Sequence, residues 1–118
     1  MSDRFIFKLL TLEQWHAFKA KNIFTGAPVD VADGYIHFSS SAQVAETAAK
    51  YFSDLPNVVL AEVDTEKLST PVVWEPSRGG ALFPHLYATL PRSAVTRTTE
   101  LEKDTAGQFI FPDWVVGI

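Results

Sequence analysis

Hydrophobic and polar residues alternate most clearly in the stretch DGYIHFSS, in the first half of the chain. Successive side chains of a strand point to opposite faces of its sheet. The pattern therefore predicts a strand from Tyr35 to Ser39 in which Ile36 and Phe38 face the core. Tyr35, His37 and Ser39 then share the other face, which carries hydroxyl and imidazole groups. We interpret this face as one wall of a pocket.

Other runs rich in β-branched and aromatic residues predict further strands. These strands are expected at residues 4–10, 58–64, 72–75 and 94–101. The run at 58–64 is apolar almost throughout its first half, which is typical of a central strand buried on both faces. Residues 65–68 are expected to form a single helical turn.

Two helices are predicted from their start signals. Thr11 followed by Gln14 has the form of a capping box, which indicates a helix to about Lys21. Ser40 followed by Gln43 has the same form and indicates a second helix to about residue 53. The buried stripe of this second helix is expected to consist of Val44, Ala48, Tyr51 and Phe52.

Two segments show neither the alternation of a strand nor the spacing of a helix. Residues 22–34 contain Gly26, Pro28 and an Asp-Gly turn signal, so we predict a loop of about a dozen residues, a length that is often functional. The tail at 108–118 is strongly apolar from Phe109 to Val116. Such a tail either packs back on the body or meets a partner.

Composition narrows the class of protein. The 118 residues, 47% hydrophobic and 13% aromatic, suit one domain spanning 1–118 with a real core. The absence of cysteine excludes disulfides, thiol nucleophiles and thiolate metal sites. A net charge of -4 without a basic cluster argues against nucleic-acid binding. Without an apolar run near 18 residues or a signal-peptide layout, we expect a cytosolic protein with no membrane association.

His37 and His85 are the first candidates for chemistry. Each lies among hydrophobic neighbours and shares a strand face with hydroxyl groups, which come from Tyr35 and Ser39 for His37 and from Tyr87 for His85. If the two strands adjoin, these groups line one concave surface. A neutral imidazole donates at one nitrogen and accepts at the other, which suits ribose, phosphate or proton transfer. The alternative is that both histidines are half-buried core residues whose hydrogen bonds are made within the protein.

The turn Arg78-Gly79-Gly80 is the second candidate. Tandem glycines allow the backbone to approach an anion, and an arginine offers a bidentate fork for phosphate. The alternative is an ordinary turn with a solvated arginine. Glu75, just before the turn, is the nearby carboxylate, which either acts as a general base or simply pairs with Arg78.

A metal centre is the weaker hypothesis, and we predict none. His37 and His85 lack the spacing of known ligand motifs, and His16 is expected in the middle of the first helix. The chain also lacks a Walker loop, a dinucleotide-binding glycine motif and the nucleophile elbow of hydrolases. No motif in the sequence therefore identifies a cofactor.

Three segments resemble a bacterial family of small proteins, domain of unknown function 952. They are DGYIHFSS, WEPSRGG from Trp74 and FPHLY from Phe83, and the resemblance covers about residues 4–101. Ser40 stands where the family often has Thr, and Ala88 where it often has Gly. The resemblance implies a fold similar to the ADP-ribosyltransferase catalytic domain, with two small, mostly antiparallel or mixed sheets around a cleft that holds NAD in those enzymes.

By the same resemblance, His37 corresponds to a histidine that contacts ribose, and Glu75 is assigned to the glutamate that supports transfer. The leading hypothesis is an NAD-like or other ADP-ribose-containing ligand, with transferase or hydrolase activity. The expected site residues are Tyr35, His37, Ser39, Glu75, Arg78, Gly79, Gly80, His85 and Tyr87. The alternatives are a non-catalytic binding module, and an interaction protein that forms homo-oligomers through its C-terminal tail.

Overall fold

The computed structural model describes residues 3–115. The side chain of Arg78 and residues 116–118 of the predicted tail lie outside the described part. Within residues 3–115 the chain forms three α-helices and eight strands. The helices are α1 (Leu12–Lys21), α2 (Pro28–Asp33) and α3 (Val44–Tyr51). The strands are β1 (Phe5–Leu10), β2 (Ile23–Phe24), β3 (Ile36–His37), β4 (Asn57–Asp64), β5 (Val73–Pro76), β6 (Leu82–Leu86), β7 (Leu90–Pro91) and β8 (Val95–Glu102).

The strands of residues 3–115 form three antiparallel sheets, ordered β1-β4-β8, β2-β7 and β3-β6-β5. The α+β class is confirmed, with one more sheet than predicted. Just after β3, Ser39 and Phe7 exchange both backbone hydrogen bonds at 2.8 and 2.9 Å. This bridge joins the sheet that carries the two histidines to the edge of the largest sheet. Among the described residues, no helix is long and apolar enough to cross a membrane.

Both faces of β4, the central strand of the β1-β4-β8 sheet, are buried, as the apolar pattern of 58–64 predicts. Along β4, Val59, Ala61 and Val63 pack into one core, whereas Val58 and Leu60 pack into a second. Strand β1 divides its side chains between the two cores in the same way. The alternation of a strand thus supplies two hydrophobic layers, one on each face.

The C-terminal tail closes the second core. Val115 is buried there, and Phe109, Phe111 and Trp114 pack against it. The ring of Trp114 lies 6.4 Å from that of Phe7 on β1, centroid to centroid. The tail therefore packs back on the body as far as residue 115, whereas its role in oligomer formation stays a prediction.

Helix α1 has the predicted limits because its capping box forms. The Thr11 hydroxyl accepts from the Gln14 backbone N–H, and the Gln14 side chain accepts from the Thr11 backbone N–H, both at 3.0 Å. The helix ends at Asn22, whose left-handed backbone has a φ of 61°. Phe18 buries its ring between this helix and the sheet.

The second predicted helix begins later than expected. Only half of the Ser40 capping box forms, because the Gln43 side chain accepts from Ser40 N–H at 2.9 Å but Ser40 does not cap with its hydroxyl. Residues 41–43 form a turn, and the helix starts at Val44. Val44 and Ala48 are buried as predicted, whereas Tyr51 is 54% exposed, contrary to the prediction.

The predicted loop at 22–34 is wrong, because it contains β2 and α2. Strand β2 pairs with β7, a partner far along the chain that local pattern does not reveal. Helix α2 starts with Pro28 at its first position and Asp30 at its third, where the Asp30 carboxylate accepts from Ala27 N–H at 2.7 Å. Proline at the first position and an acid in the first turn are ordinary helix-start signals.

Candidate functional site

The pairing of β3 with β6 brings the two candidate histidines together. His37 lies directly opposite His85 in the antiparallel register, and their ring centroids are 5.4 Å apart. Ile36 and Phe38 face the core, as the alternation predicts. The imidazoles therefore lie side by side on one face of this sheet.

His37 is held between two carboxylates. Its Nδ1 lies 2.6 Å from Asp30 Oδ1, and its Nε2 lies 2.9 Å from Asp33 Oδ2. Both aspartates come from α2, which ends at Gly34 with a left-handed φ of 87° and so returns the chain directly into β3. Ionised carboxylates only accept hydrogen bonds, so each nitrogen of the His37 ring faces a group that can accept from it.

Asp30 is a residue that the sequence pattern did not single out. Its side chain is 1% exposed, and it forms a salt bridge of 3.0 Å with Lys8 Nζ on β1, which is itself buried. Burial by itself raises the pKa of Asp30, but the Lys8 charge and the His37 hydrogen bond outweigh it and hold this pKa below its usual value. Burial also lowers the pKa of Lys8, which the Asp30 charge offsets in part.

His85 has a different environment. It is 1% exposed, and its Nδ1 lies 2.7 Å from Glu75 Oε1, which also accepts the Tyr87 hydroxyl at 2.7 Å. Among the described residues, no side chain or backbone group bonds to His85 Nε2. The Tyr87 hydrogen bond, followed by that of His85, lowers the pKa of Glu75. The same contact with Glu75 raises the pKa of Tyr87 to about 12.

Tyr35 connects the two histidines. Its ring stacks on that of His85 at 4.1 Å between centroids and lies 4.7 Å from that of His37. It also contacts Tyr87 at 5.1 Å. Tyr35, His37, His85 and Tyr87 thus form one continuous group of rings, which we call the aromatic cluster.

A cleft of about 520 Å³ lies beside the aromatic cluster and is reached by only one of its rings, that of His37. The β1 edge forms one wall with Phe7, Lys8 and Leu9. The other lining residues are Gln14, Ala27, Pro28, Val29, Asp33, His37, Phe38, Ser39, Thr47, Tyr51, Phe52 and Ser77. The cleft therefore combines a largely apolar lining with a few polar groups, as small-molecule sites do.

The predicted site residues divide between these two places. His37 and Ser39 line the cleft, although Ser39 is buried and its hydroxyl is hydrogen-bonded to that of Thr47 at 3.0 Å. Tyr35, Glu75, His85 and Tyr87 lie in or beside the aromatic cluster and do not line the cleft. Glu75 is engaged by His85 and Tyr87, while its predicted ion pair with Arg78 involves a side chain outside the described part.

The glycine turn lies next to the cleft through Ser77. Gly79 and Gly80 have left-handed φ values of 68° and 83°, and both are exposed. Gly80 N–H donates to the Ser77 carbonyl at 2.9 Å, so this donor closes the turn itself. Their role in phosphate binding stays a prediction. In residues 3–115 no group of three or more His, Asp or Glu side chains is arranged to hold a metal ion.

Comparison with known proteins identifies the family. The family model described as "Protein of unknown function (DUF952)" matches residues 9–98, three quarters of the chain. The chain belongs to the DUF952 family. The predicted family membership is thereby confirmed. No protein with a curated description matches the chain.

Solved structures of another protein share the fold of this DUF952 member. The crystal structure of protein CC0527 from Caulobacter crescentus is 46% identical with a TM-score of 0.86, and the match covers 94% of this chain and 97% of that one. The solution NMR structure of CC0527 is 47% identical with a TM-score of 0.80, covering 90% and 91%. Their names state neither a ligand nor an activity.

Proposed function

We propose that the protein binds a ribose-containing small molecule in the 520 Å³ cleft, with NAD or another ADP-ribose-containing compound as the leading ligand. The observation that carries the proposal is the imidazole of His37, fixed at the cleft wall beside a half-exposed carboxylate, Asp33. Together they offer a donor and an acceptor to the adjacent hydroxyls of a ribose. The volume also lies within the range of about 300–1,000 Å³ that is usual for ligand sites.

The rest of the cleft supports a ligand with a flat, apolar part. Phe7 and Phe38 line it together with Leu9, and the exposed ring of Tyr51 lies at its border. Such a lining suits a base, whose faces are apolar and whose edges are polar. The fold that the sequence resemblance implies is similar to that of ADP-ribosyltransferases, enzymes whose cleft holds NAD, and this similarity supports the same choice of ligand.

The charges of the cleft are nearly balanced. Lys8 is paired with Asp30, and the His37 ring is paired with Asp33. We therefore assign a phosphate of the ligand to the turn at residues 77–80, because Ser77 borders the cleft and Arg78 follows it. An arginine supplies the fork that a phosphate needs.

Recognition without turnover is the second candidate function. Glu75, assigned to transfer chemistry, accepts hydrogen bonds from His85 and Tyr87 and does not line the cleft. A carboxylate that stabilises an oxocarbenium-like centre has to contact the reacting sugar. The position of Glu75 therefore favours binding over catalysis.

Calorimetry with NAD, ADP-ribose and AMP tests the binding proposal. We expect wild type to bind at least one of them, and both His37→Ala and Asp33→Asn to bind it more weakly because each loses a ribose contact. His16→Ala is the matched control, since it makes the same change at an exposed position on α1. Absent binding in wild type, or equal binding in His37→Ala, contradicts the proposal.

Turnover separates the two candidate functions. Wild type and Glu75→Gln are incubated with NAD, and released nicotinamide and ADP-ribose are quantified by liquid chromatography. Binding without any release in wild type supports the recognition module. Release that Glu75→Gln abolishes, with affinity unchanged, supports a transferase or hydrolase.

A further inference from the structure

We infer that Asp30 is the positioning residue of the cleft: it fixes the His37 ring so that Nε2, and not Nδ1, is presented to a ligand. The inference about ring orientation stands on geometry alone, and its consequence for affinity rests on the proposed function. No sequence motif marks Asp30, and its side chain does not line the cleft.

Asp30 is built into the fold as a hub. One carboxylate oxygen, Oδ1, accepts from the backbone N–H of His37 at 3.1 Å and lies 2.6 Å from Nδ1 of the same residue. The other, Oδ2, accepts from Ala27 N–H at 2.7 Å and from Lys8 Nζ at 3.0 Å. A single side chain thus ties β1, the start of α2 and β3 together.

Bonding to both the backbone and the ring of His37 leaves the imidazole little rotational freedom. Because the ring nitrogens lie on opposite sides, fixing Nδ1 on the buried carboxylate directs Nε2 away from Asp30. Its neighbour there is Asp33, which is 45% exposed, compared with 1% for Asp30. An exposed partner exchanges readily for a ligand oxygen, whereas the buried one remains in place.

Lys8 also holds Asp30 and His37 in this arrangement. Its ammonium donates to Asp30 and to the His37 carbonyl oxygen at 2.8 Å. A buried carboxylate without such a partner gains a proton and loses an acceptor. Lys8 therefore keeps Asp30 ionised and able to accept from Nδ1 of His37.

Imidazole NMR tests the orientation without any ligand. In ¹⁵N-labelled wild type we expect a slowly exchanging, low-field proton on His37 Nδ1, because this N–H is buried against a carboxylate. The signal is assigned with His37→Ala and is expected to move to higher field and to exchange faster in Asp30→Asn, because a neutral amide oxygen is a weaker acceptor than a carboxylate. A Nδ1 proton that persists unchanged in Asp30→Asn overturns the inference.

A second variant keeps the test decisive if Asp30→Asn does not fold. Lys8→Met/Asp30→Asn removes both members of the ion pair and so leaves no unpaired buried charge. Asp64→Asn is the matched control, since Asp64 is equally buried but bonds to Arg4 and Glu66 instead. We expect the same upfield move of the Nδ1 signal in the double variant and no change in Asp64→Asn; an unchanged signal in the double variant overturns the inference.

Affinity gives the functional readout once a ligand is known. In metal sites, removing a carboxylate that orients a ligating histidine typically costs about 10–100-fold in affinity, and we take this as the scale of the effect here. We expect a loss of this size in Lys8→Met/Asp30→Asn and none in Asp64→Asn. An altered NMR signal with unchanged affinity refutes the positioning role, whereas absent binding in wild type refutes the proposed function and leaves the orientation intact.

Discussion

His37 and His85 occupy paired positions on one sheet face, yet their surroundings differ. His37 borders the cleft, whereas His85 is buried within the aromatic cluster and supports it. Each has Nδ1 on a carboxylate, at 2.6 Å from Asp30 and 2.7 Å from Glu75. The His37 side chain is 22% exposed with a deeply buried partner, whereas His85 is 1% exposed with a partner near the surface. The order of burial is reversed, so His37 presents its ring outward and His85 holds its ring inside.

The largest expected difference is in the loss of stability when the carboxylate of Asp30 or that of Glu75 is replaced by an amide. Asp30→Asn leaves the Lys8 ammonium buried without a counterion, which typically costs about 3–5 kcal/mol in the free energy of unfolding. Glu75→Gln leaves no buried charge and should cost clearly less. Urea unfolding of both variants measures this contrast, and similar losses would contradict the assignment of Asp30 as the hub.

The histidines themselves should show the next largest contrast. His85→Ala removes a fully buried ring from beneath Tyr35 and is expected to cost about 2–4 kcal/mol, as other large-to-small core changes do. His37→Ala is expected to cost about 1.5 kcal/mol, the low end of the range for a hydrogen bond to a charged group, because its side chain is 22% exposed. Thermal and urea unfolding provide the values; a larger loss for His37→Ala would reverse our comparison.

Acid should reduce the contribution of Asp30. Its folded pKa is lowered, so it stabilises the protein above the ordinary Asp pKa of about 3.9, and this contribution is lost as the pH falls through the folded pKa. We expect the difference in unfolding free energy between wild type and Asp30→Asn to shrink from about pH 6 to about pH 2. A constant difference over this range would contradict the ionised state of Asp30.

The smallest expected effect is a change in the titration of Tyr87, which shares the Glu75 carboxylate with His85. The Glu75 contact raises the pKa of Tyr87 to about 12, so one tyrosine should ionise late when absorbance near 295 nm is followed with increasing pH. In Glu75→Gln this step should move toward the ordinary value of about 10. The associated stabilisation is present below about pH 10 and lost toward the folded value. An unchanged titration curve in Glu75→Gln would argue against this hydrogen bond.

Local signals in the sequence predicted much of the secondary structure and which strand faces are buried. The alternation around Ile36 and Phe38 gave the correct faces, the Thr11 box gave the limits of α1, and the apolar run at 58–64 gave a central strand. Each of these depends on neighbours within a few residues. The late start of α3 shows the limit, because the residue types at Ser40 and Gln43 predict a complete capping box and only half of it forms.

The organisation of the site depended on distant contacts. Asp30 acquires its role from Lys8, 22 residues earlier, and from the return of α2 into β3. A start signal for α2 was present in Pro28 and Asp30, but nothing local indicates that this acid is buried. Likewise the parity of His37 and His85 predicted one shared surface only on the condition that their strands adjoin. The folded chain pairs these strands and separates the cleft from the aromatic cluster.

The C-terminal tail has a consequence for how the chain is made. Phe7, at the beginning of the chain, is covered by Trp114, near its end, and the second core is completed only by residues 109–115. During synthesis on the ribosome, the part of this core that residues 109–115 cover therefore stays open to solvent until residue 115 has left the exit tunnel. A nascent chain of this kind exposes an apolar surface that is vulnerable to aggregation.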